Sequence, residues 1–222
     1  MQSGGELENR TVPETKGLPL LLHACCAPCS LEPLQLLRQE GFEPTICWTN
    51  PNIAPVAEHN LRLHTLLDWA RDTAHVRVIV AGQDRDGWER GVAIFGTDRI
   101  RRCRACYALR LHEACQVAAE HGFSYVSTTL AVSPYQLSDV CRDVLQATAA
   151  HFSLKAIWRD FRPYYPAATK LSRELGMYRQ NYCGCRFSAA EAAIERQQAR
   201  DMRKAARADL RKKSQSSVLS AV

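Results

Sequence analysis

Long apolar stretches are absent from this sequence of 222 residues. The apolar run 18–22 is far too short to cross a bilayer, so we expect no membrane partner. Residues 1–17 show no secretory signal, and their polar composition predicts a disordered N-terminal tail. We therefore expect a cytoplasmic protein in a reducing compartment. A chain of this length can bury a core without disulfide staples, so its cysteines need another explanation.

Three familiar cysteine templates are also missing, although cysteine itself is plentiful. Seven of the ten cysteines form three tight groups, which are Cys25, Cys26 and Cys29, then Cys103 and Cys106, then Cys183 and Cys185. A zinc ribbon requires two pairs about 15–20 residues apart, whereas Cys26 and Cys103 are 77 positions apart. The radical AdoMet pattern Cys-x3-Cys-x2-Cys fails at Glu32, and the four-cysteine run of dicluster ferredoxins is absent. An iron–sulfur cluster held by dispersed pairs passes these tests, and a zinc ion or an active dithiol stays open.

The first two groups have spacings that can bring their sulfur atoms together. Cys103 and Cys106, at a predicted helix start, lie on one helix face about a turn apart. The adjacent Cys25 and Cys26 can both act as ligands only where the strand turns, and Pro28 predicts a helix start there. The positive end of that helix would lower thiolate pKa values. Cys29, one turn into the helix, is either a further ligand or a ligand of a second metal.

The third group, Cys183-Gly184-Cys185, is of another kind. Its two thiols are too close for an unstrained bridge, and Gly184 supplies the backbone freedom that a bridge would need. A strained disulfide is readily reduced, which favours a two-electron redox role. The alternative is that both cysteines join the metal site.

Short β-rich apolar runs alternate with longer segments of helical period. This pattern predicts an α/β fold, in which a parallel sheet is flanked by helices on both faces. The strands are predicted at 18–24, 45–49, 76–81, 125–130 and 154–158, the helices at 28–41, 55–73, 103–121, 133–150, 167–175 and 189–213, and an irregular segment at 82–96. Because ligands bind beyond the carboxyl ends of such strands, we expect Cys25, Cys26, Asn50 and Asn52 to converge at one edge.

The positive charge is concentrated near the end of the chain. Residues 189–222 hold eight Lys/Arg against four Asp/Glu, so they carry +4 of the net +6. A second basic run, 99–104, lies beside Cys103. Such charge suits a polyanion such as RNA, although on charge alone a solvated helix is the simpler interpretation. We divide the chain into the tail 1–17, a central iron–sulfur domain 18–188 and a basic helical extension 189–222.

Several other polar residues are weaker candidates. His23 is expected to be a hydrogen-bonded core residue. Asn50 and Asn52 are suited to contacts with a base or with ribose, and they are equally suited to forming a turn. Asp160 is a candidate catalytic acid, metal ligand or helix cap. The run 179–182 is suited either to phosphate and base contacts or to loop packing. We expect the isolated Cys47, Cys115 and Cys141 to be buried packing residues.

Together these motifs resemble the QueH type of epoxyqueuosine reductase. The resemblance runs in order through most of the chain, in HACCAPCS at 23–30, NPNI at 50–53, RCRACYALRL at 102–111, TTL at 128–130, SP at 133–134, DF at 160–161 and YRQNYCGCRFS at 178–188. Any one motif would be weak, but the combination is specific. The resemblance covers neither the N-terminal tail nor the basic extension.

The resemblance implies an enzyme that reduces epoxyqueuosine, a modified tRNA base, to queuosine. It implies a Rossmann-like, HUP-type fold and a 4Fe–4S cluster held by Cys25, Cys26, Cys103 and Cys106, with a second iron left open. The redox-active disulfide of the family would map onto Cys183 and Cys185. The implied partners are tRNA carrying epoxyqueuosine and an unidentified electron donor.

This chain departs from the family pattern at two places. The residues before Cys103 are rich in arginine, and Gln136 stands where a basic residue is common. Two rival interpretations stay open. A HUP-type tRNA-thiolating enzyme would need ATP, yet no Ser-Gly-Gly phosphate loop follows the first strand. A non-enzymatic RNA-binding module would use its cysteines only to bind zinc.

Overall fold

The computed structural model describes residues 17–219, with side chains for residues 17–207, so only Gly17 of the predicted tail is included. Its strands are β1 (Leu18–His23), β2 (Phe42–Trp48), β3 (Val78–Val80), β4 (Tyr125–Thr128) and β5 (Lys155–Ala156). Its helices are α1 (Ala27–Gln39), α2 (Val56–Trp69), α3 (Arg85–Ala93), α4 (Arg99–Glu120), α5 (Ser138–His151), α6 (Tyr165–Glu174) and α7 (Arg186–Leu219). A π-helical turn, Ala70–Ala74, extends α2, and 3-10 turns cover Thr129–Ala131 and Arg162–Tyr164.

The strands form one parallel sheet in the order β3-β2-β1-β4-β5. This confirms the predicted α/β fold with a parallel sheet flanked by helices. β1 is central and pairs with β2 on one side and with β4 on the other. The chain adds β2 and β3 on one side of β1 and then crosses over to add β4 and β5 on the other side, so the strand order reverses at β1. Ligands of open α/β sheets bind at such a reversal, beyond the carboxyl ends of the strands. The fold therefore directs attention to the residues that follow β1 and β4.

The central strand is buried on both faces. Leu20, Leu21 and Leu22 are fully buried, and alternate residues face opposite sides of the sheet. Leu20 and Leu22 pack in one apolar cluster with Phe161, and Leu21 packs in another with Ala114. A continuous apolar run of this kind is typical of a parallel strand covered by helices on both sides. β1 thus gives a rigid base to the cysteines that follow it.

Two helices differ from prediction near the second cysteine group. The segment predicted to be irregular, 82–96, contains α3, so that prediction is wrong. The carboxylate of Asp84 caps α3 by accepting a backbone N–H at 2.8 Å. Asp98 caps α4 in the same way at 3.1 Å, and α4 therefore begins at Arg99, four residues before the predicted start at Cys103. Aspartate is a strong N-cap, and these caps outweigh the glycines of the segment.

Two other helix starts were also predicted wrongly. α5 begins at Ser138 and not at Ser133, because residues 133–137 form a turn. α7 begins at Arg186, so the predicted boundary between residues 188 and 189 falls inside a helix. The division into a central iron–sulfur domain and an extension stays a prediction. Within residues 17–219, no helix has the length and the apolar character required to cross a membrane.

Candidate active site

The first cysteine group lies directly after the central strand. The chain leaves β1 at His23, turns, and enters α1, for which Cys26 is the N-terminal cap residue with extended backbone. The sulfur atoms of Cys25, Cys26 and Cys29 lie within 4.8 Å of one another, and those of Cys25 and Cys26 are 3.8 Å apart. The turn that allows two adjacent cysteines to act together is present, as predicted. Cys29, which sequence analysis left open, belongs to the same group.

A single negative charge is favoured among these three thiols. Hydrogen bonds from Cys26 and Cys29 lower the pKa of Cys25 well below its ordinary value, and the Thr129 hydroxyl donates to the same sulfur at 3.4 Å. Burial raises the pKa of Cys26, and hydrogen bonding to the Cys25 sulfur raises the pKa of Cys29. Thiolates are the reactive and metal-binding form of cysteine. The negative charge is therefore favoured on Cys25, and metal binding would release the protons of the other two.

The second cysteine group faces the same edge of the sheet. Cys103 packs with Cys25 against one apolar cluster, and Cys106 packs with Cys185 against another. Among the described residues, however, neither Cys103 nor Cys106 joins the group of sulfurs within 4.8 Å. Burial raises the pKa of Cys103 to about 11 and also raises that of Cys106. The structure thus brings the two groups to one region, although their sulfurs do not form one mutually close group.

The third cysteine group forms the turn that leads into α7. Cys183 is exposed, and the side-chain amide of Gln136 donates to its sulfur at 3.3 Å. The backbone N–H of Ser188 donates to the Cys185 sulfur at 3.3 Å, so Cys185 caps the start of α7. All ten cysteines are free thiols in this structure. The two members of the pair therefore have different surroundings, one open to the cavity and one tied to a helix end.

The turn between the two cysteines requires glycine. Gly184 has a φ of 147°, which side chains rarely adopt. A Cβ at this position would lie only 3.0 Å from the side chains of Asn52 and Ile53. The Gly184 carbonyl also accepts a hydrogen bond from the backbone N–H of Ala54 at 2.9 Å. The NPNI segment thus packs directly against the cysteine pair.

Arg62 of α2 holds the same turn from its other side. Its guanidinium donates to the carbonyl of Cys183 at 2.9 Å and to that of Tyr182 at 3.3 Å. The side chain is 1% exposed and forms an ion pair with Glu58 at 2.7 Å. It also lies over the Tyr182 ring, 5.0 Å from the centroid. A buried arginine with this set of partners fixes the backbone at Cys183, and sequence analysis did not identify it.

We expect Arg62→Met to lower the free energy of unfolding by about 3 kcal/mol, because it leaves the largely buried Glu58 carboxylate without its cation and two carbonyls without their donor. Urea unfolding of the purified protein measures this. Arg71→Met is the matched control, since the Arg71–Asp72 pair is exposed and should contribute less than about 1 kcal/mol. Equal losses of unfolding free energy in both variants would contradict the role of Arg62 in holding the turn at Cys183.

A cavity of about 620 Å³ connects the first and third cysteine groups. Cys25 and Cys29 lie on one side of it and Cys183 on another. Tyr135 and Tyr165, whose rings meet edge to face with centroids 6.5 Å apart, contribute aromatic surface. The charged side chains around it are Arg99, Arg110, Glu191, Glu195 and Arg196. The cavity therefore combines sulfur, aromatic and charged groups in a volume suited to a small ligand or to one nucleotide.

α7 forms part of this cavity and is more than an appended tail. Its residues Glu191, Glu195 and Arg196 border the cavity. Glu191 also accepts a hydrogen bond from the buried Arg102, which ties α7 to α4. The first turns of the predicted basic extension thus belong to the site.

Arg110 is the most informative residue that sequence analysis missed. It is 1% exposed, and its guanidinium reaches the cavity and donates to the Asn50 side-chain oxygen. Burial alone would lower the pKa of Arg110, but the nearby sulfur atoms of Cys106, Cys183 and Cys25 raise it above its ordinary value. The sequence spacing could have identified Arg110 as a site residue. Arg110 follows Cys103 by seven residues and Cys106 by four, so it shares their helix face.

The polar residues of the first strand ends have structural partners. His23 is fully buried and shares a hydrogen bond with the Thr128 hydroxyl at 2.9 Å, which confirms a core role. Burial lowers its pKa to about 3, so it stays neutral. The Asn50 amide donates to the Ala24 carbonyl at 2.8 Å, and Asn50 thus supports both the cysteine turn and Arg110.

The remaining candidates divide between the site and the rest of the protein. Gln180 lies on the cavity, and its amide donates to the Cys26 sulfur at 2.8 Å. Asp160 pairs with Arg162 at 2.6 Å on the surface and is not among the residues that line the cavity. The isolated cysteines are fully buried in apolar clusters, as predicted: Cys47, Cys115 and Cys141.

The residues present fit a metal–sulfur centre. Sulfur donors dominate the site, and two buried N–H groups near them, Arg110 Nε and Trp88 Nε1, have no hydrogen-bond partner. Trp88 packs against Cys106. Unpaired donors and positive charge suit an anionic iron–sulfur cluster, whose sulfur atoms accept hydrogen bonds.

A comparison with known protein families bears on these observations. The family model described as "Epoxyqueuosine reductase QueH" matches residues 20–191. The chain belongs to the QueH family. A QueH epoxyqueuosine reductase of Dehalococcoides mccartyi is 30% identical over 172 residues, which cover 78% of this chain and 93% of that protein.

Other relatives carry the same name. The QueH of Acinetobacter baylyi is 32% identical, with 76% of this chain and 79% of that protein covered. The QueH of Thermotoga maritima is 30% identical, with 78% and 91% covered. The predicted membership of the QueH family is thus confirmed, and the chain is an oxidoreductase. A crystal structure of a "predicted subunit of tRNA methyltransferase" from Methanocaldococcus jannaschii matches with a TM-score of 0.49 at 12% identity, over 71% of this chain and 75% of that one.

Proposed function

We propose that this chain reduces epoxyqueuosine in tRNA to queuosine, the last step of queuosine biosynthesis. The proposal assigns a 4Fe–4S cluster to Cys25, Cys26, Cys103 and Cys106. The observation that carries it is the meeting of the first cysteine group and the Cys183 turn on one cavity of about 620 Å³. Membership of the QueH family supports the substrate.

The reaction requires two electrons and two protons, because the epoxide oxygen leaves as water and a carbon–carbon double bond forms. When bound, the cluster would supply electrons singly and an iron that polarises the epoxide oxygen. The thiols of Cys183 and Cys185 can supply both electrons and both protons when they join in a disulfide. The electron donor then restores the two thiols. The exposure of Cys183 supports its access to such a donor.

The remaining lining of the cavity supports a nucleotide as the ligand. Tyr135 is 68% exposed and offers a face on which a base can stack. Arg99 donates to the Tyr135 carbonyl at 3.1 Å, which places a cation beside that tyrosine. Arg196 donates to the Asn181 carbonyl at 3.1 Å on another side of the cavity. These two exposed cations are suited to the phosphates of the tRNA backbone.

Cys29 is a further candidate ligand beside the four cysteines assigned to the cluster. Its sulfur lies within 4.8 Å of those of both Cys25 and Cys26, whereas among the described residues neither Cys103 nor Cys106 lies that close to both. We assign Cys29 to a second iron beside the cluster or to support of the Cys25 thiolate. Metal content of Cys29→Ala distinguishes these roles, since only the first predicts fewer iron atoms per chain.

Anaerobic turnover of epoxyqueuosine-containing tRNA tests the proposed function. The purified protein, reconstituted with iron and sulfide and supplied with dithionite, is expected to convert the base to queuosine without ATP. Mass spectrometry of the digested nucleosides measures the conversion. A requirement for ATP with sulfur incorporated into the base would point instead to thiolation. A chain that binds zinc but neither iron nor sulfide would overturn the reductase assignment.

A further inference from the structure

We propose that Arg110 is the counter-cation of the sulfur site and raises the reduction potential of the cluster bound there. This inference rests on the proposed function, because it concerns the cluster that the reductase would carry. It concerns a residue of α4 that lies one turn beyond Cys106.

Arg110 differs from the other buried arginines in its partners. Arg62 is 1% exposed and pairs with Glu58, and Arg102 is 3% exposed and pairs with Glu191. Arg110 is equally buried, yet none of the ion pairs within residues 17–207 includes it. The fold thus neutralises two buried arginines with carboxylates and leaves the third without one.

The hydrogen bonds of Arg110 are also incomplete. One terminal nitrogen donates to the neutral amide oxygen of Asn50, and the buried Nε has no partner. Its guanidinium lies on the cavity together with Cys25, Cys29 and Cys183. An unsatisfied buried donor on a cation is costly unless an anion accepts from it. The groups that raise the pKa of this guanidinium are the sulfur atoms of Cys106, Cys183 and Cys25.

A cluster with four thiolate ligands is an anion and would supply the missing charge. Its reduced form carries one more negative charge than its oxidised form. A fixed positive charge nearby stabilises the reduced form more strongly, so it raises the reduction potential. Since the guanidinium is buried, solvent and salt screen this effect only weakly. Arg110 would thereby make the cluster easier to reduce by the electron donor.

A redox titration of the reconstituted protein tests this role. Arg110→Gln and Arg110→Met remove the charge, and Arg110→Lys keeps it. We expect both neutral variants to have a lower midpoint potential than wild type, with Arg110→Lys closer to wild type than to them. Arg71→Gln is the control, because Arg71 is exposed, pairs with Asp72 and does not border the cavity. Its potential should stay at the wild-type value.

The possible outcomes separate this proposal from the proposed function. Folded neutral variants that take up no iron, when Arg110→Lys loads normally, would also support the need for the charge. Neutral variants with a full cluster and an unchanged potential would overturn the role of Arg110 and leave the reductase assignment intact. An Arg110→Lys variant whose midpoint potential falls as far as that of Arg110→Gln would also overturn the role of Arg110, since the shape of the side chain and not its charge would then set the potential. A wild-type protein that binds no iron would overturn both.

Discussion

Cys103→Ala is expected to lose both its iron and its activity. Cys103 lies in the second turn of α4 and packs with Cys25 against a common apolar cluster, so it can reach a centre that also involves the first group. Loss of a residue that only hydrogen-bonds a metal ligand lowers activity by up to about a hundredfold. Cys103 is proposed as a direct ligand, so its loss should reduce turnover by more than that. Iron and sulfide analysis, absorbance near 400 nm and turnover on epoxyqueuosine-containing tRNA measure the effect.

Cys115→Ala provides the matched control on the same helix. Cys115 is fully buried in an apolar cluster and borders no cavity of the site. Its loss should cost on the order of 1 kcal/mol in stability through a small cavity and leave iron and turnover unchanged. A colourless Cys103→Ala variant with wild-type turnover would refute Cys103 as a ligand. Loss of iron in Cys115→Ala as well would show that the assay reports general unfolding.

The fold was predictable because the apolar pattern alone determines it. Residues 18–22 form a continuous apolar run, which is typical of a strand covered on both faces, and β1 is such a strand. The starts of α4 and α5 were not predicted correctly, since they depend on the cap at Asp98 and on the turn at 133–137. A capping bond depends on one polar side chain, and apolar periodicity carries no information about it.

The candidate site was only partly predictable. Sulfur chemistry and tight spacing indicate the cysteine groups, and the strand order explains why those after β1 and in α4 meet. Arg62 and Arg110 were missed, because a charged residue in a helix is usually exposed and nothing in its neighbours shows burial. Their partners, the Cys183 carbonyl and the Asn50 amide, come from distant parts of the sequence. Such contacts exist only once the sheet has formed.

Cys185→Ser is expected to keep its iron but to lose repeated turnover. Serine can still accept the Ser188 N–H, so the start of α7 and the wall of the cavity should survive. The variant cannot form a disulfide with Cys183, and the two-electron store is lost. When no other donor is present, the reduced dithiol of the wild type should support about one product per chain and the variant less than one, and the steady-state turnover of the variant should fall more than about tenfold. Single-turnover and steady-state assays on the same preparation separate the two quantities.

Two further variants make the outcome specific to a cysteine pair. Cys183→Ser should show the same loss, because a disulfide needs both sulfurs, although the two thiols have different surroundings. Ser188→Ala removes the hydroxyl 3.4 Å from the Cys185 sulfur but keeps both thiols, so its turnover should stay within about twofold of wild type. A defect in only one of the two cysteine variants would indicate a single reactive thiol and would contradict the dithiol. Unchanged steady-state rates in both would leave these cysteines with a structural role at the start of α7.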